Sequence, residues 1–375
     1  MKRNLFNQTS PLQHYTAMLP NAHSQFDFYT SNLETNRAEC FWDVPFPVIV
    51  PSPKKHPPAG VLTRFPGNPV LTPIKEHPWE SKFVLNAATI ALAGRVFMVY
   101  RAYGEDEISR LGLAVSKDGF KFTERLEKPI FEPDDRNESM GCEDPRLTLL
   151  GGYIYMTYTA WDGELPQIGL ASISAKDFLD YRWSSWQRHG LFLPGVPNKD
   201  AALFPEEFNG KVAMLHRIEP HIWITYSSRP DSHWPTTGHQ IIAKTTNGML
   251  WDSKKIGAGA QPIKTKYGWL LVTHGVDHSQ VYRLGVMLLD INDPSRLIYR
   301  SPNFILEPIT KYELGGDDDS WVPNVVFTCG AVPREQDKET LDADDELIVY
   351  YGAADSVINI ATATVGELIP EPIRA

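Results

Sequence analysis

Short apolar runs bounded by turn residues recur from about Leu62 to the end of the chain. Arg95-Val96-Phe97-Met98-Val99-Tyr100 follows Ala93-Gly94, and Tyr153-Ile154-Tyr155-Met156-Thr157-Tyr158 follows Gly151-Gly152. Val212 to His216 follows Asn209-Gly210-Lys211, Trp269 to His274 follows Tyr267-Gly268, and Leu347 to Tyr351 follows Asp344-Asp345-Glu346. β-Branched and aromatic residues behind such signals predict strands entered through hairpins. A further alternating segment comes after each: Leu111 to Ser116, Ile168 to Ser172, Ile222 to Ser227, Leu284 to Leu288, and Ile358 to Ala363. Tyr100, Tyr158, His216 and His274 stand 58 residues apart in succession, and Tyr351 follows after 77. An interval of that size holds four strands with long loops, and its regularity argues against a generic β-sandwich. The expected fold is all-β, a five-bladed β-propeller over residues 61–375. Asp317 to Asp319 and Glu335 to Asp345 read as loop insertions in the longer last interval.

Residues 1–60 lack this pattern and contain a Pro-rich run from Pro45 to Pro58. They are expected to form an N-terminal extension that packs on the body or on a second subunit, which leaves a homo-oligomer open. Composition adds exclusions. A net charge of −10 argues against non-specific nucleic-acid binding, though not against a local basic pocket. Three cysteines, Cys40, Cys142 and Cys329, form neither a disulfide framework nor a zinc pattern, and no metal site is expected. Without a signal-peptide h-region or an apolar run of membrane-spanning length, a cytoplasmic protein with no membrane partner is the expectation.

A propeller brings the inner ends of its repeats to one axis, so polar residues at equivalent repeat positions converge. Tyr100-Arg101-Ala102-Tyr103, Cys142-Glu143-Asp144-Pro145-Arg146, Asn198-Lys199-Asp200, His216-Arg217, His274-Gly275-Val276-Asp277 and Ala354-Asp355 occupy such positions. Asp144 with Arg146 could be only a bracing ion pair. Arg101, Lys199 and Arg217 are singly more often bracing charges, and His274 a hydrogen-bonded structural residue. Together they fit an anion pocket beside an acid. Arginine supplies a fork of donors and lysine a point charge, a combination suited to phosphate. A water-using glycosidase needs two carboxyls, whereas a phosphate-using enzyme needs only the acid. Trp79, Trp161, Trp223 and Trp321 could stack on sugars or simply pack.

Glu138-Ser139-Met140-Gly141-Cys142-Glu143-Asp144-Pro145-Arg146, Tyr155 to Ala160, Lys199 to Pro205 and Met214-Leu215-His216-Arg217 resemble glycoside hydrolase family 130. That family comprises β-mannoside phosphorylases and related β-mannosidases. The likeness runs from about Asn68 to Leu368. It implies a five-bladed propeller, with Asp144 as general acid, in several members acting through a sugar hydroxyl, with inversion. It also implies phosphate held by Arg101, Lys199, Arg217 and His274. Asn86, Asp200, His216 and Asp355 would contact the mannosyl unit. No cofactor is implied beyond phosphate as co-substrate. The expected reaction converts a β-1,2- or β-1,4-linked manno-oligosaccharide and phosphate into α-mannose 1-phosphate. An inverting β-mannosidase and a non-catalytic carbohydrate-binding propeller are the competing readings. Acid function carries one further expectation, a raised pKa at Asp144.

Overall fold

The structure, a computed structural model, describes residues 60–375 apart from His233 and Asp317 to Asp319. The expectations for residues 1–59 and for the Asp317 to Asp319 insertion lie outside the described residues. What is described is almost entirely β, with only short helices such as Ala175–Leu179 and Lys311–Leu314.

After a two-residue strand, β1 (Thr63–Arg64), the strands fall into five antiparallel groups. The first holds β2 (Phe83–Leu92), β3 (Arg95–Tyr103), β4 (Ser109–Ser116) and β5 (Phe122–Arg125). The second holds β6 (Gly141–Leu150), β7 (Tyr153–Trp161), β8 (Pro166–Ser174) and β9 (Gln187–Phe192). These two share one parallel residue pair, Ser109 with Gly141. The third holds β10 (Lys199–Phe208), β11 (Lys211–Arg217), β12 (Ile222–Ser227) and β13 (Gln240–Ala243). In the fourth, β14 (Lys255–Ala258) and β15 (Ile263–Thr265) both pair with β16 (Gly268–Val276), followed by β17 (Tyr282–Leu289) and β18 (Leu297–Arg300). The fifth holds β19 (Val326–Pro333), β20 (Glu346–Ala353) and β21 (Val357–Thr364), and β1 pairs with β21 as its fourth strand. Four of the repeat residues, Tyr100, Tyr158, His216 and Tyr351, fall on the second strand of their group, and His274 falls on β16, the strand that pairs with both β14 and β15. Glu335 to Asp345 is the connection from β19 to β20, as expected.

Side chains alternate faces along each strand, and here both faces are covered. Val96, Met98 and Tyr100 join one core with Ile348, Tyr350 and Ile360 of the fifth group. Phe97 and Val99 join another with Ile154 and Met156 of the second. Further cores lie between groups two and three (Leu170 with Met214), three and four (Leu215 with Leu271), and four and five (Val272 with Val349). The first strands also pack in succession: β2 on β6, β6 on β10, β10 on β14, and β19 on both β16 and β2.

Each group is also clasped by polar side chains. Glu80, just before β2, accepts from Tyr100 at 2.7 Å and pairs with Arg125 at the end of β5. Glu138, just before β6, accepts from Tyr158 at 2.9 Å and pairs with Arg188 on β9. Asp252 before β14 pairs with Arg300 on β18, and Glu313 before β19 pairs with Arg64 on β1 while accepting from Tyr351 at 2.8 Å. A buried carboxylate thus ties the entry of a group to its outer strand, with a buried tyrosine completing the contact in three of them. In group three the same places hold Asn198, His216 and His239, linked by hydrogen bonds of 3.1 and 2.8 Å.

Candidate active site

In three successive groups the first strand is interrupted at the same place. Pairing slips between Leu85 and Ala88 in β2, Glu143 and Arg146 in β6, and Lys199 and Ala202 in β10. A residue within each slip is left-handed: Asn86 (φ 47°), Asp144 (φ 48°) and Asp200 (φ 56°). Asn and Asp tolerate that conformation better than other non-glycine residues. A bulge re-aims its side chain, and here the re-aimed groups meet side chains of neighbouring groups.

Asn86 Nδ2 donates to Asp144 Oδ1 at 2.9 Å. Arg101 reaches the same oxygen at 3.3 Å, Glu143 Oε1 at 2.7 Å and Ser109 Oγ at 2.9 Å. Lys199 Nζ lies 3.6 Å from Glu143 Oε2. Burial pushes the Asp144 carboxyl up, but Arg101, Lys199, Arg146 and the Asn86 hydrogen bond outweigh it and hold the pKa below the usual carboxylate range. This corrects the expectation of a raised value: in the free protein Asp144 is a carboxylate. Asp355, in the turn between β20 and β21, feels Arg101 and Lys199 but also Asp144 and Glu143, and burial raises its pKa to about 7.

A second set adjoins the first through Arg146. Its guanidinium donates to the Asp144 carbonyl at 2.9 Å and to Asp200 Oδ1 at 3.2 Å. Asp200 Oδ2 lies 2.8 Å from Arg217 Nη1 and 3.3 Å from His274 Nε2. Burial pushes Asp200 up, yet Arg217, His274 and Arg146 together hold it well below the carboxylate range. Burial likewise lowers the His274 pKa against the pull of Asp200. The approach requires glycine at 257, where a Cβ would stand 2.2 Å from Asp200 Oδ2 and 2.4 Å from His274 Cε1.

The structure therefore assembles Asn86, Arg101, Asp144, Lys199, Asp200, Arg217 and His274 into one ion-paired network, with Asp355 within its field. Two sugar-contact expectations fare differently. His216 is fully buried with both ring nitrogens engaged, Nδ1 by Asn198 and Nε2 by His239, so it belongs to the clasp of group three. Asp200 is buried and spends both oxygens on cations. Arg146, read in the sequence only as a possible bracing partner of Asp144, also joins, as do Lys255, Glu219 and Tyr282, which had no assigned role. Lys255 lies 3.4 Å from Glu219 Oε1 and 5.6 Å from the Tyr282 ring centre, and Arg217 reaches Glu219 at 3.7 Å. Lys255 opens β14, but it pairs with Val276, whereas Lys199 pairs with Arg217, whose repeat match is Gly275; the repeat therefore marks neither Lys255 nor Tyr282.

Known proteins resemble this chain over most of its length. The family model for β-1,4-mannooligosaccharide phosphorylases matches residues 60–370. A 1,2-β-oligomannan phosphorylase from a Thermoanaerobacter species is 42% identical over 80% of this chain and 96% of its own length. A β-1,4-mannooligosaccharide phosphorylase from Ruminococcus albus is 30% identical over 82% of this chain and 90% of its own. Among solved structures, Listeria innocua β-1,2-mannobiose phosphorylase with β-1,2-mannobiose superposes with a TM-score of 0.69 at 26% identity, covering 82% of this chain and 98% of that one. By sequence over nearly all of its described length, the chain belongs to glycoside hydrolase family 130.

Proposed function

We propose that this protein catalyses inverting phosphorolysis of β-mannosides on a five-bladed β-propeller. The fold reading is supported by five antiparallel groups and by a hydrophobic core between each successive pair, the fifth group packing back on the first. The reaction reading is carried by one observation. The Asp144 carboxyl is fixed by Asn86 beside the cations Arg101 and Lys199, with Arg217 joined to Asp144 through Arg146 and Asp200.

In that arrangement Asp144 supplies the proton and the cations receive phosphate. The bond from mannosyl C1 to the glycosidic oxygen breaks, and that oxygen takes the proton and leaves as a hydroxyl. A phosphate oxygen forms the new bond at C1 from the opposite face, which yields α-mannose 1-phosphate. Phosphate arrives ionised, so its activation is a matter of position and charge neutralisation. Phosphate also solves the protonation problem. By sharing Arg101 and Lys199 and bringing negative charge alongside, it weakens what holds Asp144 ionised and raises its proton affinity. Asp200 and His274 then serve to hold Arg217, and Asn86 and Asp355 remain to contact the mannosyl unit.

Because the relatives at 42% identity act on β-1,2-linked mannosides, that linkage is the first to test. Hydrolysis is the second reading, favoured by a specific feature: Glu143 supplies another buried carboxyl beside Asp144. A solved structure that superposes with a TM-score of 0.70 at 26% identity belongs to this family of mannoside phosphorylases, which contains glycoside hydrolases that target β-1,2-mannosidic linkages. The deciding assay is turnover of β-1,2-mannobiose with and without inorganic phosphate. Phosphate-dependent release of α-mannose 1-phosphate is expected, with a loss of at least ~100-fold in Asp144→Asn. Free mannose formed in phosphate-free buffer at the same rate would overturn phosphorolysis.

A further inference from the structure

Most large apolar side chains among the described residues are buried, but Trp321 is 37% exposed and is held beside the carboxylate network. Its ring stacks on Phe83 at 5.4 Å with 12° between planes and meets Tyr103 at 4.6 Å. Phe83 and Tyr103 are register partners at the ends of β2 and β3, so two strands support the ring from below. Arg101 lies 5.1 Å from the Trp321 ring, and the same guanidinium reaches Asp144 and Glu143. The backbone is fastened as well. Trp321 N–H donates to Ser356 Oγ at 3.0 Å and Val322 N–H to the Ala354 carbonyl at 3.2 Å, on either side of Asp355. The ring is thus fixed between Arg101 and the Asp355 turn, and it remains open to solvent while the charged groups beneath it are buried.

A β-linked mannopyranose suits such a surface. Its C1, C3 and C5 hydrogens project axially from one face, and its axial 2-hydroxyl projects from the other. The first face is therefore apolar and stacks on an aromatic ring. The reacting mannosyl unit must sit deeper, where C1 meets Asp144 and phosphate. A ring at the exposed edge of that site is placed for the sugar on the other side of the scissile bond.

We infer that Trp321, supported by Phe83 and Tyr103, is the stacking platform for the leaving-group sugar, and so a binding determinant for the manno-oligosaccharide acceptor. The inference rests on the phosphorolysis reading for its assignment to the acceptor. The test uses the synthetic direction, with α-mannose 1-phosphate as donor and mannose or β-1,2-mannobiose as acceptor. Trp321→Ala is expected to raise the acceptor KM about tenfold, with donor KM within about twofold, and Trp321→Phe to recover most of the loss. If donor and acceptor KM rise together, Trp321 acts through Arg101 and the inference is overturned. It is overturned equally if neither changes. If the wild type uses no phosphate or α-mannose 1-phosphate, the phosphorolysis reading has failed instead. The platform is then judged by direct titration of β-1,2-mannotriose: weaker binding to Trp321→Ala than to Trp321→Phe and wild type supports it, and equal binding refutes it.

Discussion

Burial pushes the carboxyls of Asp144 and Asp355 in the same direction, and their neighbours decide the difference. Asp144 has Asn86 and Arg101 on one oxygen, with Lys199 and Arg146 adding charge, whereas around Asp355 the cations are offset by Asp144 and Glu143. Asp355, raised to about 7, binds a proton in the folded state over a pH range where the unfolded chain has released it. Its contribution is therefore fully present below pH 4 and is lost as pH rises through 7. Asp355→Asn should raise stability relative to wild type by roughly 2–4 kcal/mol at pH 8 and by little below pH 4, read from urea midpoints across pH. The cations separate by burial. Lys199→Ala and Arg217→Ala should each raise the KM for phosphate about tenfold with the sugar KM within about twofold. Only Arg217→Ala should also destabilise, near the low end of the ~3–5 kcal/mol for breaking a buried pair, because Arg146 and His274 remain on Asp200. A sugar KM that rises with that for phosphate would remove Lys199 or Arg217 from phosphate binding. The types and repeat positions of these cations were legible in the sequence. The charge state of Asp144 was not, because it depends on Asn86 and Arg101, which another group contributes.

At the scale of elements, the same repeat carries two functions on opposite faces of one strand. Tyr100 and His216 turn into clasps, and Arg101 and Arg217, one residue on, turn into the site. A one-residue step reverses the face of a strand, which is why His216 joins Asn198 and His239 while Arg217 meets Asp200. The clasps predict a pattern of stabilities. Glu138→Ala strands Arg188 and Tyr158 and should cost about 3–5 kcal/mol, whereas Glu138→Met combined with Arg188→Met should cost less than the single change, measured by denaturant unfolding. Additive losses would mean that the pair is not a unit. The 58-residue period was readable because every group needs a similar clasp and a similar strand length. The bulges at Asn86, Asp144 and Asp200 were not, since a left-handed residue has no pattern beyond its identity as Asn or Asp.

Across the whole molecule, β1 joins the start of the described chain to its last group. Arg64 on that two-residue strand donates to Glu313 at 2.8 and 2.9 Å, and β1 itself completes the group formed by β19, β20 and β21. Arg64→Ala leaves a buried Glu313 with Tyr351 and backbone donors and should lower stability by about 3 kcal/mol, with the loss seen in overall unfolding rather than in phosphate KM. An unchanged midpoint would show that the Arg64–Glu313 pair contributes little to stability. Strand identity, the five-unit repeat and the candidates Asp144, Arg101, Lys199 and Arg217 were legible in the sequence, because side-chain period, turn chemistry and residue type are local properties. Tertiary structure alone decided which way burial and neighbours shift Asp144 and Asp355, that Asp200 and His274 lie against Arg217, that His216 joins Asn198 and His239, and that Trp321 stands open beside Arg101. Those properties arise where side chains from different groups meet, and burial and charge at such a meeting are set by neighbours distant in the chain.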